Sequence, residues 1–342
     1  MINFQVNDPS LESQWRAIIL FGKNSATYKF AFAKSLLELV DHETTRISLS
    51  DLAEPFSQNI IEHLKENDKQ GSASSSKFLD TCRQHIAGEV SKEQLLESTE
   101  RLGFVNVVDA FQNVNGGNIP DPLYEKDYSR GKKDIVITDN LLKLKESYHI
   151  QNFDSEVEAR WSLVETAWNL NINPRLLEVK YDEDLSYFFI ENELLRRINI
   201  TSVRGALNGY QKGKCFYSFR DISVNPDSDN LCDVDHFLPH VNKGLHFESE
   251  ANLDGVWNLV LADKSLNRHD KKAIIPDIKF LKRLYNRNEY YIDSKHPLAE
   301  TIINQTGKTK EKRKKFLEAQ FNLALSQSIH TWKPEIELPG SF

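Results

Sequence analysis

Apolar residues in the first half of the chain recur with the spacing of buried helices. Residues 25–40 are apolar nearly all round, which predicts the central helix of a core. Ser91 opens a capping-box signature for another helix. Residues 113–133, rich in Gly, Pro, Asn and charge, predict a loop. Residues 154–169 carry an apolar helical stripe, formed by Val157, Trp161, Val164 and Trp168. We interpret both tryptophans as core residues and not as a platform for stacking bases.

The second half mixes short strand patterns with helices. Residues 177–181 and 185–190 predict a β-hairpin with an acidic turn. Thr201 predicts the N-cap of a short basic helix that runs to Gln211. Apolar side chains four residues apart predict a last helix over residues 313–332.

Length and composition indicate a globular protein of more than one domain. The 342 residues suggest two or three domains, and 39% are hydrophobic and 27% charged. The sequence contains no apolar run long enough for a membrane helix and no signal-peptide pattern at its start. We therefore expect a cytoplasmic protein with no membrane contact. The three cysteines, Cys82, Cys215 and Cys232, are too few for a disulfide framework and are expected to remain thiols.

The net charge of the chain and the local distribution of its charges point to different kinds of partner. A net charge of -7 argues against a nucleic-acid partner, because Lys and Arg drive phosphate binding. Residues 194–220, however, contain six basic and no acidic residues. Residues 264–289 contain eight basic and three acidic residues, and residues 308–315 contain six basic and one acidic. Basic charge is thus concentrated in the second half of the chain.

Residues of the types that catalyse hydrolysis are grouped between Lys214 and Pro276. Breaking a phosphodiester bond requires a base for water, a cation for the developing charge, and a frame that holds both. His236 supplies an imidazole that accepts a proton at neutral pH. The adjacent Asp235 supplies a hard oxygen, and Asn267 supplies a second one from a later helix, which suits Mg²⁺ or Mn²⁺.

Asp235 and His236 belong to the run Asp-Val-Asp-His-Phe-Leu-Pro, which ends at Pro239. Because adjacent side chains on a strand point to opposite faces, a bend at the strand end is needed to bring both to one site. Asn258 opens a later apolar strand. Its amide is expected to hydrogen-bond the backbone across the intervening loop and to keep His236 aimed.

This pattern resembles the HNH, or ββα-metal, endonucleases, and looks especially like the HNH domain of RNA-guided CRISPR effector nucleases. The family pattern runs from CxxC through Asp-His-x-x-Pro and Asn-Leu to a helix with Asn and Lys. The resemblance covers about sixty residues and includes Lys271 in the last helix. It implies that His236 is the general base, that Asp235 and Asn267 are the metal ligands, and that Asn258 is the middle catalytic member.

The sequence departs from the family in two places. Many members hold a structural zinc with four cysteines, at positions that match Cys215, Ser218, Asp263 and Leu266. Only the first of these is a cysteine, so we expect no structural zinc, and we expect apolar packing to hold the scaffold instead. The interval before Asn258 is also longer than usual, which implies an inserted loop over residues 240–255.

Basic residues around this segment are the candidates for nucleic-acid contact. Lys271 is expected to contact phosphate, because the family places a basic residue there. The other candidates are Lys272, Arg268, His269, Lys212 and Lys214. His240 and His246 are interpreted as surface histidines without a chemical role.

These patterns together predict a mainly α protein with a small ββα-metal (HNH) α+β module. We expect a helical recognition or docking domain over residues 1–200, the nuclease module over residues 201–280, and a helical segment over residues 281–342 that packs on the module. The first domain is expected to recognise a target, or to dock a partner protein or a second copy of the chain.

The predicted function is metal-dependent endonucleolytic cleavage, with DNA favoured over RNA. By analogy with stand-alone HNH proteins, the setting would be restriction or anti-phage defence. Two alternatives stay open. One is a nucleic-acid-binding protein whose HNH scaffold has lost catalysis, and the other is a nuclease subunit active only within a complex.

Overall fold

A computed structural model describes residues 9–21, 25–41, 43–73, 75–114, 116–131, 133–169, 178–191, 197–239, 251–294, 296–326, 328 and 330–342. Helices dominate, and the sheets of this part of the chain have two or three strands each. The expected mainly α class is therefore confirmed. The chain divides into two compact units, Met1–Ile172 and Asn173–Phe342. The functional domains expected at residues 1–200, 201–280 and 281–342 stay a prediction.

The first unit is built mainly from helices. Its helices are α1 (Leu11–Phe21), α2 (Tyr28–Leu39), α3 (Leu49–Glu66), α4 (Lys77–Ile86), α5 (Lys92–Ser98), α6 (Val107–Ala110), α7 (Asp139–Lys145) and α8 (Ile150–Asn169). Its strands are β1 (Arg46–Ser48), β2 (Asn113–Val114), β3 (Gly117–Asn118), β4 (Tyr124–Asp127) and β5 (Asp134–Ile137). β1, β5 and β4 form an antiparallel sheet in that order, and β2 pairs with β3.

The core of the first unit forms around α2, as the apolar pattern predicted. Phe30 and Phe32 of α2 are fully buried, and Trp161 and Trp168 of α8 belong to the same core. The capping box at Ser91 is present at the start of α5. The prediction of a loop over residues 113–133 is wrong in part, because β2, β3 and β4 lie within it. Tyr124, buried at the start of β4, anchors that strand in a sheet that local composition does not reveal.

His63 lies inside the first unit between two carboxylates. Its Nδ1 is 2.9 Å from Glu165 Oε2, and its Nε2 is 3.1 Å from Glu158 Oε1. Its ring stacks on Trp161, with the ring centroids 3.5 Å apart. Burial alone would lower the pKa of His63, but hydrogen bonds and charges from Glu158 and Glu165 outweigh burial and raise it to about 9. His63 is therefore a cation in the folded protein at neutral pH.

The second unit mixes short strands with longer helices. Its strands are β6 (Lys180–Asp182), β7 (Tyr187–Glu191), β8 (Arg197–Ser202), β9 (Asp233–His236) and β10 (Leu259–Ala262). Its helices are α9 (Val203–Gln211), α10 (Ile278–Asp293), α11 (Ala299–Thr306) and α12 (Lys310–Leu325), and a wide helical turn spans Leu266–Lys271. β6, β7 and β8 form one antiparallel sheet, and β9 and β10 form another.

The predicted hairpin is present as β6 and β7. The predicted cap at Thr201 is wrong, because Thr201 belongs to β8 and α9 begins after Ser202. The last helix spans Lys310–Leu325, so it begins and ends earlier than residues 313–332. The three cysteines are free and buried. Among the described helices, none has the length and apolar character that crossing a bilayer requires.

The charged state of His63 predicts a pH-dependent stability for the first unit. A pKa of about 9, against the ordinary 6.5, means that the folded state retains a proton that the unfolded chain releases. This stabilisation is complete below pH 6.5 and is lost as the pH rises through 9, a change on the order of 3 kcal/mol at most. Urea titrations of His63→Gln between pH 6.5 and 9 should therefore show no such loss of stability. His85→Gln, a control in the same unit, should retain it, and coincident profiles for wild type and His63→Gln would contradict this account.

Candidate active site

The predicted catalytic residues lie on and around the sheet of β9 and β10. The strands are antiparallel, with His236 opposite Leu259. The Gln211 side chain accepts a hydrogen bond from the N–H of Leu261 and donates one to the Leu261 carbonyl, and both bonds are 2.8 Å long. A two-stranded sheet is marginally stable alone. The Gln211 amide therefore supports β10 in the way that a neighbouring strand would.

The Asp235 carboxylate is buried and has two protein partners. Tyr217 donates its hydroxyl to Asp235 Oδ2 at 2.6 Å. Lys271 Nζ lies 3.1 Å from Oδ1 and 3.0 Å from Oδ2, and it also donates to the His236 carbonyl at 3.2 Å. Because Lys271 is 0% exposed, Asp235 and Lys271 form a buried ion pair.

Tyr217 is a hydrogen-bond donor held in the core. Burial, and then the charge of Asp235, raise the pKa of Tyr217 well above its ordinary value, so the phenol keeps its proton. Phe280 and Trp332 pack edge-on against its ring, each with centroids 5.3 Å away. The sequence did not single out Tyr217, because its partner lies 18 residues away and no local spacing reports the contact.

His236 is the last residue of β9, and its side chain has different neighbours from that of Asp235. Its Nε2 lies 3.2 Å from Asp254 Oδ1, and its ring centroid lies 5.9 Å from that of Tyr181. The His236 side chain is 8% exposed and that of Asp254 is 36% exposed. The chain bends directly after His236, at Phe237, and that the bend brings the Asp235 and His236 side chains to one site stays a prediction. Asp254 was missed by sequence reasoning, although it lies in the inserted loop that the sequence indicated.

The side-chain amide of Asn258 forms hydrogen bonds to the backbone on both sides of the loop after β9. Its Oδ1 accepts the N–H of Leu238 at 2.9 Å, and its Nδ2 donates to the carbonyls of Leu238 at 3.0 Å and Leu253 at 2.8 Å. Phe237 N–H donates to the Asn258 carbonyl at 2.8 Å. These bonds are the bridge across the loop that we expected. They make Asn258, which is fully buried, a positioning residue.

The wide turn Leu266–Lys271 lies against the same strand. Arg268 binds Asp233 with two hydrogen bonds of 2.8 and 2.9 Å, and Asn267 Nδ2 lies 3.3 Å from Asp233 Oδ2. Asp233 and Asp235 are two positions apart on β9 and so share a face. The turn therefore places its polar side chains along the face that carries Asp235. Arg268 is still 57% exposed in its side chain.

Much of the predicted basic surface is used inside the second unit. Lys212 is buried and donates to the Ser341 carbonyl at 2.9 Å, and Lys214 pairs with Asp221. Further basic residues donate to carbonyls or carboxylates within the unit, namely Arg204, Arg283, Arg287 and Arg313. The basic runs of the sequence are therefore only partly a surface feature.

The predicted nucleic-acid contacts of the wide turn differ in exposure. Lys271 is buried against Asp235, whereas we expected it at the surface. Arg268, His269 and Lys272 are exposed. The roles of all four in binding nucleic acid stay predictions.

The positions that match zinc cysteines are held by packing and hydrogen bonds. The Phe219 N–H closes a tight turn on the Cys215 carbonyl at 3.0 Å, and Phe219 has a φ of 58°. Asp263 Oδ1 accepts the N–H of Leu266 at 2.8 Å, and the Leu266 side chain is buried. These contacts keep the turn at Cys215 and the start of the wide turn in place.

In comparisons with known proteins, no family model, no curated protein and no solved structure matches this chain. The resemblance to HNH nucleases therefore rests on the motif quoted above.

Asp235 and Asn267 carry oxygen atoms of the kind that a hard divalent cation binds, although the described side-chain contact of Asn267 is to Asp233 and not to Asp235. Asp235 offers a carboxylate, and Asn267, whose Nδ2 faces Asp233, offers its Oδ1. Within the part of the chain that the structure describes, no group of three or more His, Cys, Asp or Glu could hold a metal ion. Lys271 already neutralises Asp235, so a cation bound there would meet its charge. The residues of the inserted loop before Ala251, including His240 and His246, lie outside the described residues.

The backbone of Lys272 is strained, which gives a stability prediction. Lys272 has φ 49° and ψ −127°, a region that residues other than glycine rarely adopt. The Lys272 N–H donates to the Asn267 carbonyl at 2.9 Å, and the Ile274 N–H donates to the Lys271 carbonyl at 2.9 Å. The turn imposes the conformation, so Lys272→Gly should raise the free energy of unfolding by about 1 kcal/mol. Strain of roughly 1–3 kcal/mol exceeds the entropic penalty of glycine, roughly 0.5–1 kcal/mol.

A matched control is Lys282→Gly, at an exposed position inside α10. There glycine relieves no strain and should lower the free energy of unfolding by about 1 kcal/mol. Thermal or urea unfolding measures both variants. A Lys272→Gly protein less stable than wild type would show that the strain has been misassigned.

Proposed function

We propose that the second unit is a metal-dependent endonuclease of the HNH type, with DNA favoured over RNA as its substrate. The supporting observation is one grouping of contacts. β9 carries Asp235 and His236, Asn258 fixes the loop between the strands, and the turn with Asn267 lies along the face of Asp235. The wide turn follows β9 and β10 along the chain, at the place where the resemblance implies a helix.

In this proposal, His236 takes a proton from the attacking water. The water oxygen forms a bond to phosphorus, one ester P–O bond breaks, and the leaving oxygen takes a proton from solvent. Asp254, 3.2 Å from His236 Nε2, orients the ring and stabilises its positive charge once the proton has arrived. Asn258 holds the backbone beside His236, which keeps the ring in place.

Asp235 and Asn267 would hold the divalent cation, Mg²⁺ or Mn²⁺, which supplies charge neutralisation at the phosphodiester. Tyr217 fixes the Asp235 carboxylate through its hydroxyl. Arg268, His269 and Lys272, which are exposed on the wide turn, would contact flanking phosphates. Restriction or anti-phage defence is the proposed setting, with recognition or docking assigned to the first part of the chain.

One observation favours an alternative. The buried pair of Asp235 and Lys271 satisfies the carboxylate without a metal, as would suit a binding protein on a scaffold that has lost catalysis. Such a protein would bind nucleic acid and leave it uncut with Mg²⁺ or Mn²⁺. Incubating the full chain with plasmid DNA and with single-stranded RNA, with and without chelator, separates the two functions.

His236→Ala tests the base. A general base contributes roughly 10²- to 10⁴-fold to a rate, so the cleavage rate should fall by that factor while nucleic-acid affinity stays within about twofold. His330→Ala, at an exposed histidine near the C-terminus, should cleave like wild type. Cleavage at the wild-type rate by His236→Ala would rule out the assignment.

The salt dependence of binding tests the surface around the wide turn. Lys264 and Lys272 are exposed there, and each lost phosphate contact lowers the log-log salt slope on duplex DNA by about 0.9. Lys264→Gln with Lys272→Gln should therefore flatten the slope by up to roughly two units. Lys312→Gln with Lys314→Gln, on α12, should change it less. Equal slopes in wild type and in the first double variant would place the bound polyanion elsewhere.

A further inference from the structure

The wide turn directs a lysine inward at the proposed metal ligand. Lys271 Nζ lies within 3.1 Å of both oxygens of Asp235 and donates to the His236 carbonyl. It also lies 5.6 Å from the centre of the Tyr217 ring. A fully buried ammonium with this set of partners is the counterion of the carboxylate.

The backbone around Lys271 shows that this position is built and not incidental. Lys271 ends the wide turn, and the next residue, Lys272, takes a strained conformation. The Ile274 N–H closes the following turn on the Lys271 carbonyl at 2.9 Å. The wide turn that ends at Lys271 and the turn after it fix the backbone on both sides of this residue. The fold therefore holds the ammonium where it meets Asp235.

A divalent cation and the Lys271 ammonium would both bind the carboxylate of Asp235. Lys271 already contacts both oxygens of Asp235, and Tyr217 donates its hydroxyl to Oδ2. A cation that bound there would place two positive charges beside a third in a site of low polarity, and like charges repel strongly in such a site. Either the ammonium moves away or the cation binds weakly.

We infer that Lys271 is an internal competitor of the divalent cation at Asp235, an inference that rests on the proposed function. In the resting protein its ammonium neutralises Asp235, and cation binding has to displace it. The affinity of the protein alone for Mg²⁺ or Mn²⁺ is therefore low. A negatively charged phosphodiester near the turn draws the ammonium away and favours the cation, so Lys271 couples the two binding events.

Direct binding of Mn²⁺ to the full chain, measured by calorimetry or by the electron paramagnetic resonance of free Mn²⁺, tests this inference without any cleavage. Lys271→Met removes the charge and keeps most of the side-chain volume. It should bind Mn²⁺ at least about tenfold more tightly than wild type. Lys271→Gln, which keeps hydrogen-bond donors near Asp235, is the second variant and should show the same direction. The double variant Lys271→Met with Asp235→Asn should show no such increase in affinity for Mn²⁺.

Thermal unfolding supplies an independent readout. Without metal, Lys271→Met leaves Asp235 buried without its counterion and should melt at a lower temperature than wild type. Mn²⁺ should restore the melting temperature of Lys271→Met, because a ligand that binds the folded state stabilises it. The same Mn²⁺ should not restore the double variant with Asp235→Asn. Lys271→Arg, which keeps the charge, should not gain Mn²⁺ affinity.

The outcomes separate this inference from the proposed function. One outcome is that wild type cleaves with Mg²⁺ while neither Lys271→Met nor Lys271→Gln binds Mn²⁺ more tightly. In that case the inference that Lys271 competes with the cation is wrong, and the proposed nuclease function is retained. If both variants gain affinity and wild type never cleaves, competition holds and the nuclease proposal fails. Weaker Mn²⁺ binding by both variants would overturn the inference, because Lys271 would then assist the metal site.

Discussion

A buried carboxylate must be neutralised, and this requirement organises the second unit. Asp235 is drawn into the interior by the pairing of β9 with β10, and its charge is met by Lys271 and by the hydroxyl of Tyr217. These partners come from two separate segments, the turn after α9 and the wide turn after β10. Removing one partner of a buried pair costs roughly 3–5 kcal/mol. The carboxylate therefore fixes the two segments on the sheet.

A sheet of two strands can carry this site because side-chain amides replace missing strands. Gln211 bonds both backbone groups of Leu261, and Asn258 bonds backbone groups on both sides of the loop after β9. Both amides are buried and satisfied by fixed partners. Amide side chains supply both a donor and an acceptor, as a peptide group does. The positions of Asp235 and His236 thus depend on residues that need not face a substrate.

Sequence patterns predicted the parts of this fold that depend on neighbours along the chain. Helix α2 and the tryptophan face of α8 follow from apolar periodicity. The bonds of Asn258 to Leu238, which lies 20 residues away, are an exception, and we expected them from the position of Asn258 between a loop and an apolar strand. Tyr217, Asp254 and Gln211 could not be predicted, because their partners lie 18 to 50 residues away and no local spacing encodes them. The burial of Lys271 was missed for a related reason. A lysine in a basic run looks exposed unless its buried carboxylate is known.

Basic runs in the sequence are a poor guide to a surface that binds polyanions. Arg287 illustrates the reason, since it is buried and donates to the carbonyls of Val256 and Trp257. A guanidinium in such a place replaces water at backbone carbonyls and holds the segment before β10. Charge used in this way cannot release counterions from a nucleic acid. The affinity of an acidic chain for phosphate then depends on a few exposed cations, and a strong salt slope would require contacts beyond the wide turn.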